Sequence, residues 1–386
     1  MISGEHRKHS HLTKPSFGIF SRNEWAITGA ANVLTEKLVD TIINQLSPLY
    51  KCAYADVLQP GMRTNSPVRL AAGAVAEYIN TGYFHQFTYK TPVSKFAYRQ
   101  LLGEADLVLV NGNNLEASAQ VIIIDQHTQS LLKEKLPMLT NVQMILLAHH
   151  EIEIFDFVKE AIPAWQQLPV YYMDDTTRIT GFFVEQMKRA QPVINGLVLA
   201  GGKSMRMGAD KALMKWHGKE QRYYIADLLG AFTKDVFISC RIDQQEEIDS
   251  SYKTIEDSFT GLGPYGAILS AFRTQPDAAW LVVACDLPLL EAATLQYLVE
   301  QRKPSAMATA FENPDDHFPE PLLAIWEPKS YPVLLSLLSQ GYTCPKKALQ
   351  GNDAFLLVAP RPDALLNVNT PEDKLLASKM LQDGLS

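Results

Sequence analysis

Short runs of consecutive apolar residues alternate along the chain with longer stretches whose apolar positions recur every three or four residues. The runs at 24–28, 107–111, 142–148, 170–173, 194–199, 236–239, 280–284 and 306–310 predict strands. Several carry almost no polar residue, the pattern of strands buried on both faces of a parallel sheet. The periodic stretches at 34–46, 155–161, 176–186, 222–232, 267–272 and 292–301 predict helices, and 72–78 reads as one more. Alternation of this kind builds layered α/β structure. The expected fold class is therefore α/β, in two domains, each a mostly parallel sheet flanked by helices.

The boundary falls at Lys188-Arg189-Ala190-Gln191-Pro192, where a helix with a basic end stops, a proline follows and a new apolar strand begins. Domains at 1–190 and 191–386 follow, and 386 residues suit two domains at roughly 100–200 residues each. The stretches 251–266 and 312–321, rich in Gly, Pro and Asp, read as long surface loops, which in compact domains are often functional.

Composition narrows the function classes. Apolar residues make up 47% of the chain and charged residues 20%, enough for ordinary cores. A formal net charge of -7 excludes a generally basic nucleic-acid binder. No run of about 18 apolar residues is present, so no membrane span is expected. The first eleven residues are polar and lack the apolar run of a secretory signal. Cys52, Cys240, Cys285 and Cys344 are isolated, as in a reduced cytoplasmic protein without a zinc or disulfide framework.

The strand at 194–199 runs directly into Ala200-Gly201-Gly202-Lys203-Ser204-Met205-Arg206-Met207-Gly208-Ala209-Asp210-Lys211. Glycines there allow close backbone approach and inward-turned N–H groups, a nest suited to phosphate oxygens. Lys203, Arg206 and Lys211 add positive charge, Arg206 with a planar bidentate fork and Lys211 as a compact point charge. The spacing fits neither the dinucleotide fingerprint nor the Walker loop. Asp286 follows the apolar run 280–284, at the strand edge where open α/β sheets bind ligands. Its carboxylate offers a hard oxygen to Mg²⁺. Asn367 and Asn369 flank Val368 and would share one face of a strand. Thr370-Pro371-Glu372-Asp373 then reads as a helix start, with Thr370 as N-cap and Asp373 at the capping-box position.

Together, L-A-G-G-x-S-x-R-M-G-x-D-K from Leu199 to Lys211, Ile255-Glu256-Asp257-Ser258 before Gly263-Pro264-Tyr265-Gly266, Ala284-Cys285-Asp286-Leu287-Pro288, and Asn367-Val368-Asn369-Thr370-Pro371 resemble the ordered motifs of the molybdenum cofactor guanylyltransferases, the MobA family. The resemblance covers about residues 193–380. It implies a Rossmann-like nucleotidyltransferase fold for the C-terminal domain and Mg²⁺-dependent transfer of GMP from GTP to molybdopterin with release of pyrophosphate. It implies nucleotide contacts at Leu199, Ala200, Gly201, Gly202, Lys211, Asp257 and Asp286, and catalytic roles for Arg206, Lys211 and Asp286. Asp286 would hold the metal, and Asn367 and Asn369 would face the pterin. Molybdoenzyme or chaperone acceptors and a homo-oligomer remain open. Two positions depart from the family pattern: Ala267 replaces a glycine often found there, and Cys240 replaces an asparagine before Arg241. Both bear on base recognition. Cytidylyl transfer to molybdopterin is the neighbouring alternative, although that sister family usually has Ala where Gly201 stands. Other nucleotidyl transfer and a non-catalytic adaptor or carrier are more distant ones.

The N-terminal half loosely resembles the small GTP-binding MobB family of the same pathway. The strand at 24–28 leads into Gly29-Ala30-Ala31-Asn32-Val33-Leu34-Thr35-Glu36-Lys37, a P-loop-like entry without the Walker lysine and hydroxyl. Ala72-Gly73-Ala74 would open a helix. Asn111 stands where the family has an acidic residue. The expectation is a degenerate domain with little or no nucleotide hydrolysis.

Overall fold

The structure is a computed structural model that describes residues 12–57, 68–200, 211–314 and 316–383. The chain divides into two compact units, Ser16–Ala190 and Gln191–Ser386, and residues 12–15 group with the second. Among the described residues no helix is long and apolar enough to cross a membrane.

In the first unit the strands are β1 (Glu24–Thr28), β2 (Cys52–Ala55), β3 (Ala76–Asn80), β4 (His85–Tyr89), β5 (Leu107–Asn111), β6 (Ala119–Ile124), β7 (Val142–Leu147) and β8 (Val170–Tyr172). Six form one sheet in the order β2-β5-β1-β6-β7-β8, every neighbouring pair parallel. Alternate residues of the central strands serve opposite faces. Val121, Ile123, Met144 and Leu146 pack with the helices Asn32–Leu46 and Thr176–Arg189. Ile122, Ile124, Ile145 and Leu147 meet Leu132 and Val158 on the other face.

The pair β3 and β4 is a separate antiparallel hairpin and corrects the expected helix at 72–78. A four-residue helix, Val68–Ala71, ends before Gly73, whose φ is 116°, so no helix opens at Ala72-Gly73-Ala74. The Tyr, Ile, Phe and Thr residues that follow favour a pleated strand.

The second unit holds β9 (Ile194–Leu199), β10 (Val236–Cys240), β11 (Lys253–Glu256), β12 (Ala279–Ala284), β13 (Ala308–Glu312), β14 (Pro319–Trp326) and β15 (Ala354–Leu357). Their order is β11-β10-β9-β12-β14-β13-β15. All pairs are parallel except those of β14, which runs against both β12 and β13. Val198, Ile238, Leu281 and Val283 face one core with the helices Gln221–Gly230 and Ala292–Glu300. Leu197, Phe237, Trp280 and Val282 face the other, with the helices Pro264–Thr274 and Ser330–Ser339.

The expected loop at 251–266 contains β11 and the start of the helix Pro264–Thr274, leaving 257–263 as the loop proper. The other expected loop, 312–321, gives up its last residues to β14.

Candidate functional site

Four parallel strands of the second unit end side by side. In register, Leu199 of β9 stands beside Ala284 of β12 and Ser239 of β10, and Cys240 beside Glu256 of β11. Their carboxyl ends open on a cavity of about 650 Å³. Leu199, Ala200, Lys211, Asp257 and Asp286, five of the residues expected from the sequence, line it together. Gly201, Gly202 and Arg206, along with Lys203, lie outside the described residues.

Asp286 sits two residues beyond β12. Its Oδ2 lies 3.2 Å from the Lys211 Nζ, while its Oδ1 is buried and has no hydrogen-bond partner among the described residues. A buried carboxylate oxygen left unpaired is energetically expensive, and such atoms are common where a ligand completes the site. Lys211 Nζ also donates to Asn369 Oδ1 at 2.5 Å. One ammonium thus draws together the loop after β9, the loop after β12 and the C-terminal segment.

Asp257 is built into its own loop. Its N–H donates to the Cys240 carbonyl, its Oδ1 accepts from the Phe259 N–H at 3.0 Å, and the Ser270 hydroxyl lies 3.0 Å from the same oxygen. Gly261 and Gly263, with φ of 79° and 57°, then turn the chain into the helix Pro264–Thr274, with Pro264 in its first turn. Gly263, Pro264 and Ala267 line the cavity, so the positive end of this helix borders it, where an anionic phosphate is favoured. A side chain at Gly266 has no room: an added Cβ would lie 2.3 Å from the Phe259 carbonyl oxygen.

The two family departures both face the cavity. Ala267 and Cys240 are among its lining residues, and burial and then Glu256 push the Cys240 thiol above its ordinary pKa. The neighbouring Arg241 guanidinium is held in a fork by Asp243, at 3.0 and 3.1 Å.

Asn367 and Asn369 do not sit on a strand. The segment is irregular, and the Val368 N–H donates to the Asp286 carbonyl just beyond β12 at 2.9 Å. Asn367 Nδ2 turns back to the Leu365 carbonyl, whereas Asn369 reaches Lys211. The helix start after it is as expected. Thr370 Oγ1 accepts from the Asp373 N–H, and Asp373 Oδ2 accepts from the Asn369 and Thr370 N–H groups.

No motif or spacing marks the residues that hold the Asp286 loop from outside. The Gln221 Nε2 donates to the Leu287 carbonyl at 3.1 Å, and the His217 Nε2 meets the Pro288 carbonyl at 2.8 Å. Side chain to distant backbone contacts of this kind leave no local spacing pattern.

Among the described residues no group of three or more His, Cys, Asp or Glu could encase a metal. A single hard carboxylate with one unpartnered oxygen still fits Mg²⁺, which is commonly held by one or two carboxylates and by the phosphates of a substrate.

The first unit differs at the corresponding edge. Gly29, with φ of 102°, turns the chain after β1, but the turn is filled by a side chain. Asn113 Oδ1 accepts from the Thr28 hydroxyl and the Gly29 N–H, and its Nδ2 donates to the Ala30 carbonyl and Asn32 Oδ1. Asn111 and Asn114 bond the Asp56 carboxylate. Burial raises the pKa of Asp56, but hydrogen bonds from Asn114, Asn111, Tyr54 and the Val57 N–H outweigh it and hold the carboxyl below its ordinary range. The N–H and hydroxyl that a phosphate would use are taken internally.

In the second unit, a strand-tip carboxylate paired with a lysine, under a helix N-terminus at the carboxyl edge of a parallel sheet, defines a nucleotide-handling α/β domain. Residues 196–354 match the family described as MobA-like NTP transferase domain, so this part of the chain is a nucleotidyltransferase domain. The chain is 37% identical over 188 residues to the molybdenum cofactor biosynthesis bifunctional protein of Synechocystis, a match covering 48% of this chain and 53% of that protein. The match therefore spans about half the length of that relative. It is 29% identical over 184 residues to the molybdenum cofactor guanylyltransferase of Pseudomonas fluorescens, covering 47% of this chain and 92% of that one. Among solved structures it is similar to molybdopterin-guanine dinucleotide biosynthesis protein A of Archaeoglobus fulgidus, with a TM-score of 0.43 and 24% identity over 49% of this chain and 99% of that one.

Proposed function

We propose that the second unit transfers GMP from GTP to molybdopterin, releasing pyrophosphate and forming molybdopterin guanine dinucleotide. The observation that carries this reading is the convergence of Lys211 and Asp286, 3.2 Å apart, on a cavity large enough for a nucleotide. The names of the relatives in Synechocystis and Pseudomonas fluorescens support the pathway and the base.

In the reaction, an oxygen of the pterin's terminal phosphate attacks the α-phosphorus of GTP. The new P–O bond forms as the bond to the bridging oxygen of pyrophosphate breaks, and the electron pair leaves with pyrophosphate. No covalent intermediate on the protein is required, so catalysis rests on positioning and electrostatics. Asp286 would hold Mg²⁺, which when bound supplies charge neutralisation at the phosphates. Lys211 balances negative charge moving toward the leaving group, and Arg206 would add a second cation. The N-terminal end of the helix Pro264–Thr274 favours phosphate at the cavity wall. Asn369 holds Lys211 in place, and Asn367 and Asn369 face the pterin in this reading.

The first unit is proposed to be a degenerate adaptor whose phosphate turn is closed by Asn113. Molybdoenzymes or their chaperones are the proposed acceptors of the product, and the cytoplasm its place.

The test is pyrophosphate release by the full chain supplied with molybdopterin and Mg²⁺ and with GTP, CTP or UTP in turn. Release with GTP well above the other two supports the proposal. A preference for CTP would move the assignment to cytidylyl transfer, and no release with any of them would leave the carrier alternative.

A further inference from the structure

The loop that follows Asp286 is held through its own carbonyls. Of the five backbone oxygens from Asp286 to Leu290, four are tied to other segments. The Asp286 oxygen accepts from the Val368 N–H at 2.9 Å, Leu287 from Gln221 Nε2 at 3.1 Å, Pro288 from His217 Nε2 at 2.8 Å, and Leu290 from the Tyr224 hydroxyl at 3.4 Å. Leu287, Leu289 and Leu290 are buried. Buried carbonyls need donors, and a loop without them has no single resting position.

Three of the four donors come from one stretch, 217–224, which begins six residues after Lys211. The Gln221 N–H donates to the Met214 carbonyl and closes this stretch into a compact loop. Gln221 is fully buried, and its Oε1 has no partner among the described residues, so the Nε2 contact to Leu287 is what the side chain offers. The His217 ring stacks on Tyr224, with centroids 3.7 Å apart. A carbonyl only accepts, so the His217 Nε2 must carry the proton. The segment that delivers the Lys211 ammonium thus also anchors the backbone behind Asp286.

We propose that His217 and Gln221 are positioning residues that fix the Asp286 carboxylate for its metal. They touch neither nucleotide nor metal and act through the carbonyls of Leu287 and Pro288. The proposal rests on the reading of Asp286 as the metal ligand. Residues one step removed from a metal ligand typically change metal affinity or activity by about 10–100-fold.

The experiment measures how far Mg²⁺ tightens binding of a fluorescent GTP analogue to the full chain, by comparing affinity in Mg²⁺ with affinity in EDTA. His217→Phe keeps the stack on Tyr224 and removes the donor, and Gln221→Met keeps the volume and removes the amide. Each is expected to lose about tenfold or more of the Mg²⁺-dependent gain, with affinity in EDTA within about twofold of wild type. His217→Gln, which restores an Nε2 donor, should recover most of the gain. A role confined to folding would lower affinity in both buffers together. If His217→Phe does not fold, Gln221→Met carries the test.

A full wild-type gain in both donor-less variants overturns the proposal, provided Asp286→Asn loses it. An equal loss in His217→Gln and His217→Phe also overturns it, by assigning the effect to ring packing. If Asp286→Asn itself keeps the gain, the metal reading of Asp286 fails, and that failure is seen separately.

Discussion

Asp286 and Lys211 compensate each other's charge at 3.2 Å, and in the proposed reaction the phosphates of the nucleotide compete for that lysine. The ammonium spans Asp286 Oδ2 and Asn369 Oδ1, so arriving phosphates compete with a carboxylate and an amide for it. Asp286→Asn keeps the shape but weakens the claim on a cation. It should reduce turnover by about 100-fold or more at saturating Mg²⁺, read as pyrophosphate release. Lys211→Met should lower turnover by a similar order and weaken binding of the triphosphate. Asn369→Ala should act through Lys211, giving a smaller loss of roughly tenfold that Asn369→Asp does not copy, because a carboxylate there pairs more tightly with the ammonium. Both main residues were legible in the sequence, Asp286 from its strand-end position and Lys211 from the loop it closes. His217 and Gln221 were not, because their partners are main-chain carbonyls some seventy residues away.

Among the elements, the loop 257–263 and the C-terminal helix make separable predictions. An added methyl at Gly266 would collide with the Phe259 carbonyl oxygen. Gly266→Ala should therefore destabilise the second unit by about 1–3 kcal/mol, seen as a lower urea midpoint. The helix Pro371–Asp383 starts on a reciprocal cap between Thr370 and Asp373. Thr370→Ala should lose about 1 kcal/mol. The N–H groups of Asn369 and Thr370 hold the Asp373 carboxyl below its ordinary pKa. The folded value being the lower one, the stabilisation is complete above the unfolded value of about 3.9 and fades as pH falls below it. The difference in thermal midpoint between wild type and Asp373→Asn should accordingly shrink as pH falls from about 5 to 3. Elements were less legible than residues where the pattern was interrupted. Only seven residues, 112–118, separate β5 from β6, too few for the crossover of a dozen or more that parallel neighbours normally need. The link stays short because β6 starts, at the level of Trp25, only two register positions behind the end of β5 at the level of Ile27, with β1 between them. In β14, prolines at 319 and 321 break an apolar run that otherwise reads as a strand, and its antiparallel course belongs to neither half of a simple alternating pattern.

At the scale of the whole molecule, the two units share an α/β architecture but use the edge of the sheet differently. The second leaves a cavity under the ends of four strands, whereas the first spends its turn donors on Asn113. That contrast predicts a chain with one working nucleotide site. A double variant, Lys211→Met with Asp286→Asn, should show no GTP hydrolysis and only residual binding of a fluorescent GTP analogue. Substantial hydrolysis would place a second site in the first unit. The most direct measurement of the central claim is a crystal structure of the full chain with GTP and Mn²⁺. The account predicts anomalous density for one Mn²⁺ bound by an Asp286 oxygen, with the triphosphate in contact with both that ion and Lys211. A triphosphate bound away from this cavity, or a metal held without Asp286, would contradict it.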